Sequence, residues 1–312
     1  MTDSLTSAAD GTVNLHIWRE GQEYLRQKGP AFLNQWNNVV FAARSGPPLP
    51  NTRYLDLSTN PLGFADETFD AVYAYHVFEH LTPSHGERCV QQIFSALKTG
   101  GIFRLSVPDL ETACRKYLHA LEAAAAEPTR QNTVRYRWAV MAIFEQMVRD
   151  RSGGMMLDAI KQGTYDDAQL RDMFGDMLLP LVEQARSANS GRVSDSRHPG
   201  RVHQRRSSNT RTVLRRFYRA VRTILGKSRP TVTNRLDPRV TKEAGQWMYD
   251  RFSLRLLLEQ GGFQDIRQVD HVSSSIPRWS AYDFDRSERG GYPLDPSVYM
   301  ECRKPEPPHP SR

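Results

Sequence analysis

The sequence predicts an α/β fold with a mostly parallel sheet and helices on both faces. Two observations lead to this prediction. Between residues 53 and 107, strand-like segments and a helix follow one another in the order strand, strand, helix, strand, and such alternation produces parallel strands joined by right-handed crossovers. The 312 residues, 39% of them hydrophobic, suffice for one large domain with an insertion.

The predicted strands are short apolar runs that end at turn residues. Residues 69–75 (FDAVYAY) are rich in aromatic and β-branched side chains, and residues 102–107 (IFRLSV) are closed by Pro108. Weaker strand patterns occupy residues 13–18, 36–41, 53–57, 265–272 and 298–303.

Helices are predicted where apolar residues recur at a spacing of three or four. Residues 83–97 follow this pattern and are expected to end at Lys98-Thr-Gly-Gly101, a basic residue followed by glycines. Residues 110–179 are predicted to be largely helical, and residues 247–263 form a further helix with a Gly-Gly stop. The segment 187–209 is rich in Ser, Arg, Gly and His and is predicted to be disordered or a flexible loop.

These elements predict a single domain interrupted by a helical, partly disordered basic insertion. The expected divisions are a flexible N-terminus (1–12), a domain (13–305) with its core in 13–110 and 246–305, an insertion (about 111–245) and a tail (306–312).

The net charge of +7 is concentrated in one segment. Between Arg186 and Arg229, thirteen Lys or Arg residues stand against the single acid Asp195, so this segment carries +12 and the remainder −5. Residues 212–225 also have an amphipathic helical pattern. Three interpretations of residues 201–229 stay open: an anionic membrane surface, nucleic-acid phosphates, or docking on the domain with a solvated basic face. Nucleic acid is the less expected partner, because the sequence holds no nucleic-acid-binding motif.

Cysteine usage and hydropathy predict a cytoplasmic protein, with contact at the inner membrane face if the basic segment binds lipid. Cys89, Cys114 and Cys302 are far apart and odd in number, a pattern typical of reduced thiols rather than of a disulfide framework or a metal site. No run reaches the 18 apolar residues that a spanning helix needs.

Three motifs in register carry the strongest functional signal. They are Leu55-Asp-Leu followed by Gly63-Phe-Ala-Asp-Glu-Thr-Phe-Asp70, then Tyr75-His-Val-Phe-Glu-His-Leu81, and then Leu97-Lys-Thr-Gly-Gly101 with its following strand. Their order and spacing resemble those of class I S-adenosylmethionine (SAM)-dependent methyltransferases of the type 11-like group. The C-terminal stretch 246–263 is similar to a branch of that group associated with polysaccharide and glycan genes. The resemblance implies a Rossmann-like domain, an antiparallel last strand, SAM as cofactor and a small-molecule or glycan acceptor.

The resemblance also assigns roles to individual residues. Asp56 and the backbone of Leu57 are expected to hold the adenine, and His76 to face the methionine part of SAM or the acceptor. Methyl transfer to a hydroxyl needs a base, for which His76, His80 and Asp109 are alternatives. Glu79 is expected to pack or cap nearby.

The first two strands depart from the family pattern. Where the family has a glycine-rich turn against the methionine carboxylate, this chain continues from Leu15 to Trp18 and Arg19, with only Gly21 nearby. Leu15, Arg19 and Gly21 are therefore the candidates at that end of the cofactor, with Arg19 able to meet the carboxylate. Val40 stands where an acid is expected to hold the ribose. Two functions follow as alternatives: a SAM-dependent methyltransferase, or a degenerate binding or assembly module that has lost SAM.

Overall fold

A computed structural model describes residues 5, 7, 11–19, 36–41, 51–151, 153–176, 178–179, 181–183, 185–187, 244–286 and 296–306. Its centre is a seven-stranded sheet in the order β3-β2-β1-β4-β5-β7-β6. The strands are β1 (Asn14–Arg19), β2 (Asn37–Phe41), β3 (Thr52–Leu55), β4 (Phe69–Tyr75), β5 (Leu97–Pro108), β6 (Gln264–Val269) and β7 (Ser297–Arg303). The first five run parallel to one another, and β7 is antiparallel to both of its neighbours.

The helices within the described residues surround this sheet. They are α1 (Pro83–Ala96), α2 (Leu110–Ala126), α3 (Arg130–Val140), α4 (Gln146–Val148), α5 (Gly154–Lys161), α6 (Asp167–Phe174), α7 (Arg251–Gln260) and α8 (Trp279–Tyr282). The predicted Rossmann-like α/β fold with an antiparallel last strand is confirmed. Because the strand order reverses between β1 and β4, a crevice is expected at the carboxyl ends of these two strands.

Capping contacts and sheet pairing explain where α1 and α7 begin and where α1 ends. α1 begins after Thr82, whose hydroxyl accepts from His85 N. It ends at Ala96, one residue before the predicted end. Residues 98–101, predicted as a turn, belong to β5, which begins at the fully buried Leu97, paired with Phe69. α7 begins only at Arg251, since Asp250 and Ser253 form a capping box.

The two faces of the sheet differ in chemistry. One face packs against α1 and α7 through aliphatic and Phe side chains. The other is aromatic and is covered by residues 270–286, in which Trp279 and Phe284 contact Tyr73. Arg104 is fully buried on this face and pairs with Asp285 at 3.0 Å. Burying this charged pair ties the β6–β7 connection to the sheet.

Helices α2, α3, α5 and α6 form a second core of their own around Trp138. Residues 141–145 are a π-helix, and the buried Glu145 accepts from Met155 N at 2.7 Å and from Arg149. This unit meets the sheet domain where Gly245 N donates to Gln146 O at 2.8 Å. Among the described residues, none of the helices has the length and apolar character needed to cross a membrane.

Several sequence predictions fall on residues outside this description. Gly21, all but the first residue of the predicted flexible loop 187–209, and the basic segment 201–229 lie there, as does the side chain of Arg19. The proposed membrane, nucleic-acid and docking roles of 201–229 stay predictions.

Candidate active site at the carboxyl edge of the sheet

His76 is the first residue beyond β4 and has an unusual backbone. Its φ of 48° lies in the left-handed region, which non-glycine residues seldom adopt and which costs conformational energy. The strained position is held by His76 N, which donates to Ser106 O on β5 at 3.0 Å. Because strained residues cluster at functional sites, this position is a natural start for locating one.

Both ring nitrogens of His76 have hydrogen-bond partners. Nδ1 lies 3.1 Å from Glu79 Oε1, and Nε2 lies 2.8 Å from Ser297 Oγ at the start of β7. An ionised carboxylate only accepts, so Nδ1 carries the proton in this contact. In the neutral ring, Nε2 is then an acceptor, and the Ser297 hydroxyl donates to it.

Glu79 is the buried centre of the cluster. It lies in a single 3-10 turn, Phe78–His80, and its residue exposure is 6%. Burial would raise the pKa of Glu79, but the nearby charges of His76 and His80 and the hydrogen bond from His76 lower it below its usual value. Glu79 is therefore the partner of both histidines, rather than the packing or capping residue that the sequence suggested.

His80 is turned to the other side of Glu79. Its Nε2 lies 3.7 Å from Glu79 Oε1, and its Nδ1 lies 3.3 Å from the carbonyl of Ala244. A carbonyl can only accept, so Nδ1 donates in this contact. His80 thus links the carboxylate to the segment that follows the helical insertion.

Residues 244–249 form a cover over this cluster. Gln246 N and Trp247 N both donate to Glu79 O, at 2.6 and 3.1 Å. Tyr249 reaches inward, and its pKa is raised, first by burial and then by the nearby charge of Glu79. Gly86 makes room for it, since a Cβ there would lie 3.0 Å from the Tyr249 hydroxyl.

Asp109, the third candidate base, lies at the carboxyl end of β5 but serves a helix. Its carboxylate oxygens accept from Glu111 N at 3.0 Å and from Thr112 Oγ1 at 2.6 Å. These contacts cap the N-terminus of α2. The structure therefore brings His76 and His80 together on Glu79 and gives the Asp109 carboxylate other partners.

Asp56 lies at the carboxyl end of β3 and forms its own turn. Its Oδ1 accepts from Ser58 N at 3.0 Å, and its carbonyl accepts from Thr59 N and Asn60 N. Leu57 is buried in the main core. A cavity of about 220 Å³ lies against this turn, lined by Leu57, Asn60, Arg88 and Gln92 among others.

At the β1 end, the candidate residues are divided between core and edge. Leu15 is fully buried in the middle of the sheet, where it pairs with Asn37 and Val72. Arg19 is the last residue of β1 and so stands at the carboxyl edge. Next to it, Trp18 is fully buried and stacks on His16 with ring centroids 6.4 Å apart.

Sequence reasoning missed two residues of this site, Ser297 and Tyr249. Ser297 is 221 positions from His76, and no local motif links them. Tyr249 lies beside the capping box at Asp250, a signal that places the start of α7 but not the inward turn of the preceding side chain.

One protein-family model matches part of this region. Residues 32–105 match the family model described as "Methyltransferase domain". The match runs from just before β2 into β5 and includes Asp56, His76, Glu79 and His80. No curated protein sequence matches the chain.

Several solved methyltransferase structures have low overall similarity to this chain. A SAM-dependent methyltransferase from Methanosarcina mazei has 16% identity and a TM-score of 0.25, over 34% of this chain and 59% of that one. One from Archaeoglobus fulgidus has 9% identity and a TM-score of 0.38, over 94% and 87%. Human N-acetylserotonin methyltransferase, solved with SAM, has 9% identity and a TM-score of 0.34, over 95% and 48%.

Proposed function

We propose that this protein is a SAM-dependent methyltransferase that acts on a hydroxyl of a small molecule or glycan, with His76 as its base. One observation carries the proposal. A strained histidine, hydrogen-bonded to a buried carboxylate, stands at the carboxyl end of β4, beside the point where the strand order reverses. Ligands of open α/β sheets bind at such a point, and the surrounding residues match the methyltransferase domain model.

Three residues along this edge, Asp56, Leu57 and Arg19, are the proposed contacts of the cofactor. Asp56 is half-buried and is followed by Leu57, which lines a cavity of about 220 Å³. A carboxylate has about four lone-pair sites, so Asp56 can accept an amino group in addition to Ser58. Asp56 and the backbone of Leu57 would hold the adenine, and Arg19 the methionine carboxylate. When bound, SAM supplies an electrophilic methyl group.

His76 is the best placed of the three candidate bases. Because Nδ1 donates to Glu79, Nε2 is the nitrogen that accepts and that can deprotonate a hydroxyl. An acceptor hydroxyl would have to replace Ser297 Oγ, which lies 2.8 Å from Nε2. Glu79 would keep the tautomer fixed and stabilise the imidazolium that forms. His80 and Asp109 have less suitable contacts, since His80 donates to a carbonyl and Asp109 caps a helix.

A second function is favoured by one specific observation. Trp18 is fully buried at the end of β1, where the family resemblance leads us to expect glycine, and Val40 on β2 is likewise buried. A module that retained the sheet but lost SAM would tolerate both residues. This alternative predicts that the fold is stable and that no SAM binds.

Calorimetric titration with SAM and with S-adenosylhomocysteine separates the two functions. The methyltransferase predicts micromolar binding that Asp56→Ala weakens. Asp66→Ala is the matched control, because Asp66 is exposed on the loop before β4, away from the carboxyl edge. Absence of heat at millimolar ligand would favour the module. Equal SAM binding by both variants would instead remove Asp56 from the cofactor site.

A further inference from the structure

Three side chains at the carboxyl edge are arranged as a hydroxyl, an imidazole and a carboxylate in series. Ser297 Oγ lies 2.8 Å from His76 Nε2, and His76 Nδ1 lies 3.1 Å from Glu79 Oε1. This is the arrangement that activates a serine nucleophile: a base within hydrogen-bond reach, oriented by a third group on its far nitrogen. Such arrays are recognised by geometry and not by their order in the chain.

We propose that Ser297, His76 and Glu79 form a nucleophilic site that accepts acyl groups from small activated esters. The proposal goes beyond methyl transfer, since it requires no SAM and uses the serine itself as the reacting group.

The carboxylate and the imidazole of this site are buried, whereas the serine is only partly buried. Glu79 has an exposure of 6% and His76 of 8%, so the carboxylate acts on the ring in a region of low dielectric. Ser297 is only partly buried and begins β7. A reagent can therefore approach the hydroxyl while the two supporting groups remain shielded.

The backbone fixes the relative positions of the three groups. His76 is tied to β5 by its N–H bond to Ser106 O, and Ser297 is paired with Pro108 on the same strand. Glu79 is held from above by Gln246 N and Trp247 N. Residues 76–79, β5, residues 246–247 and Ser297 are thus hydrogen-bonded or paired around one imidazole, which is the preorganisation that a nucleophilic site needs.

The proposed reaction is the hydrolysis of an ester by water through an acyl-serine intermediate. Ser297 Oγ attacks the carbonyl carbon, and its proton passes to His76 Nε2 as the new C–O bond forms. The ester C–O bond breaks, and the leaving alkoxide takes the proton from His76. Water then attacks the acyl-serine with His76 again as base, which releases the acid and restores the serine.

A fluorophosphonate probe tests this site directly, because it phosphonylates activated serines and leaves ordinary ones unmodified. The full-length protein is incubated with the probe, and the modified residue is identified by mass spectrometry of its peptides. We expect one modification, at Ser297, that disappears in Ser297→Ala. Glu79→Gln keeps the shape of the side chain but removes its charge, and we expect it to slow labelling on the order of a hundredfold.

Ser84→Ala is the matched control, since Ser84 is an exposed serine at the start of α1; it should label as the unmodified protein does. The pH dependence of the labelling rate adds a test that needs no variant. We expect a rise through a single histidine-like titration to a plateau. Labelling spread over exposed serines, a rate unaffected by Glu79→Gln, or a rate proportional to hydroxide without a plateau would overturn the proposal. Because the probe requires no SAM, failure here and failure to bind SAM are separate results.

Discussion

The carboxyl edge of the sheet has two halves that differ in their side-chain contacts. In the half formed by β4, β5 and β7, His76 lies within hydrogen-bond distance of both Glu79 and Ser297. In the half formed by β1, β2 and β3, Trp18 is packed into the core and Asp56 is engaged in its own turn. The first half has reactive groups already in place, while the second has mostly packing and turn contacts.

This difference separates two properties that the family pattern joins. We propose that chemistry depends on the β4–β7 half and that cofactor affinity depends mainly on the β1–β3 half. Substitutions in each half would then test the two properties separately.

The largest expected effect is on catalysis by the β4–β7 half. His76→Gln removes the proposed base, and we expect methyl transfer to hydroxyl acceptors to fall by about 10²–10⁴-fold. Transfer of label from methyl-labelled SAM to a panel of alcohols, phenols and sugars measures it. His119→Gln, an exposed histidine on α2, is the control. Equal rates for both variants would remove His76 from the mechanism.

Trp18 tests whether the β1 end is a packed element of the core. Because Trp18 is fully buried, Trp18→Ala should lower the free energy of unfolding by roughly 3–5 kcal/mol. Trp247 is 45% exposed, so Trp247→Ala should change it by less than about 1 kcal/mol. Urea unfolding of both variants measures this. Similar small losses would mean that Trp18 is not packed as described.

The smallest expected effect concerns the pH dependence of stability. The pKa of Glu79 is lowered in the folded protein, so its contribution is present above the ordinary glutamate pKa and is lost as the pH falls through the lowered value. Glu79→Gln should cost about 1.5–3 kcal/mol at pH 7 and less at acidic pH. Urea unfolding at pH 7 and at acidic pH measures how the cost of Glu79→Gln changes, with the exposed Glu122→Gln as control. A cost that does not shrink in acid would contradict the pairing.

The sequence allowed the sheet to be predicted well, because its strands carry local signals. Phe69–Tyr75 was predicted with its observed bounds, and the Gly261-Gly262 stop follows the end of α7 at Gln260. The helix predicted over 83–97 is observed over 83–96. The strand that follows begins at Leu97 rather than at the predicted residue 102, because Leu97 is buried and pairs with Phe69.

The site was predicted only in part. His76 and His80 stood out because both lie in one short motif. Glu79 meets the histidines because it is buried beside them, and Ser297 meets His76 because β7 returns to the sheet far along the chain. No local sequence pattern predicts either contact. The turn at Asp56 likewise depends on Ser58, two residues on, which no apolar periodicity reveals.

Hydrogen–deuterium exchange with S-adenosylhomocysteine tests the central claim most directly, since it locates a bound cofactor on both halves at once. At saturating ligand, we predict slower exchange in peptides covering residues 54–62 and 75–81. Peptides of β6 (Gln264–Val269), at the far edge of the sheet, should be unchanged. Unaltered exchange in both carboxyl-edge peptides would contradict the assignment of this edge as a SAM-dependent active site.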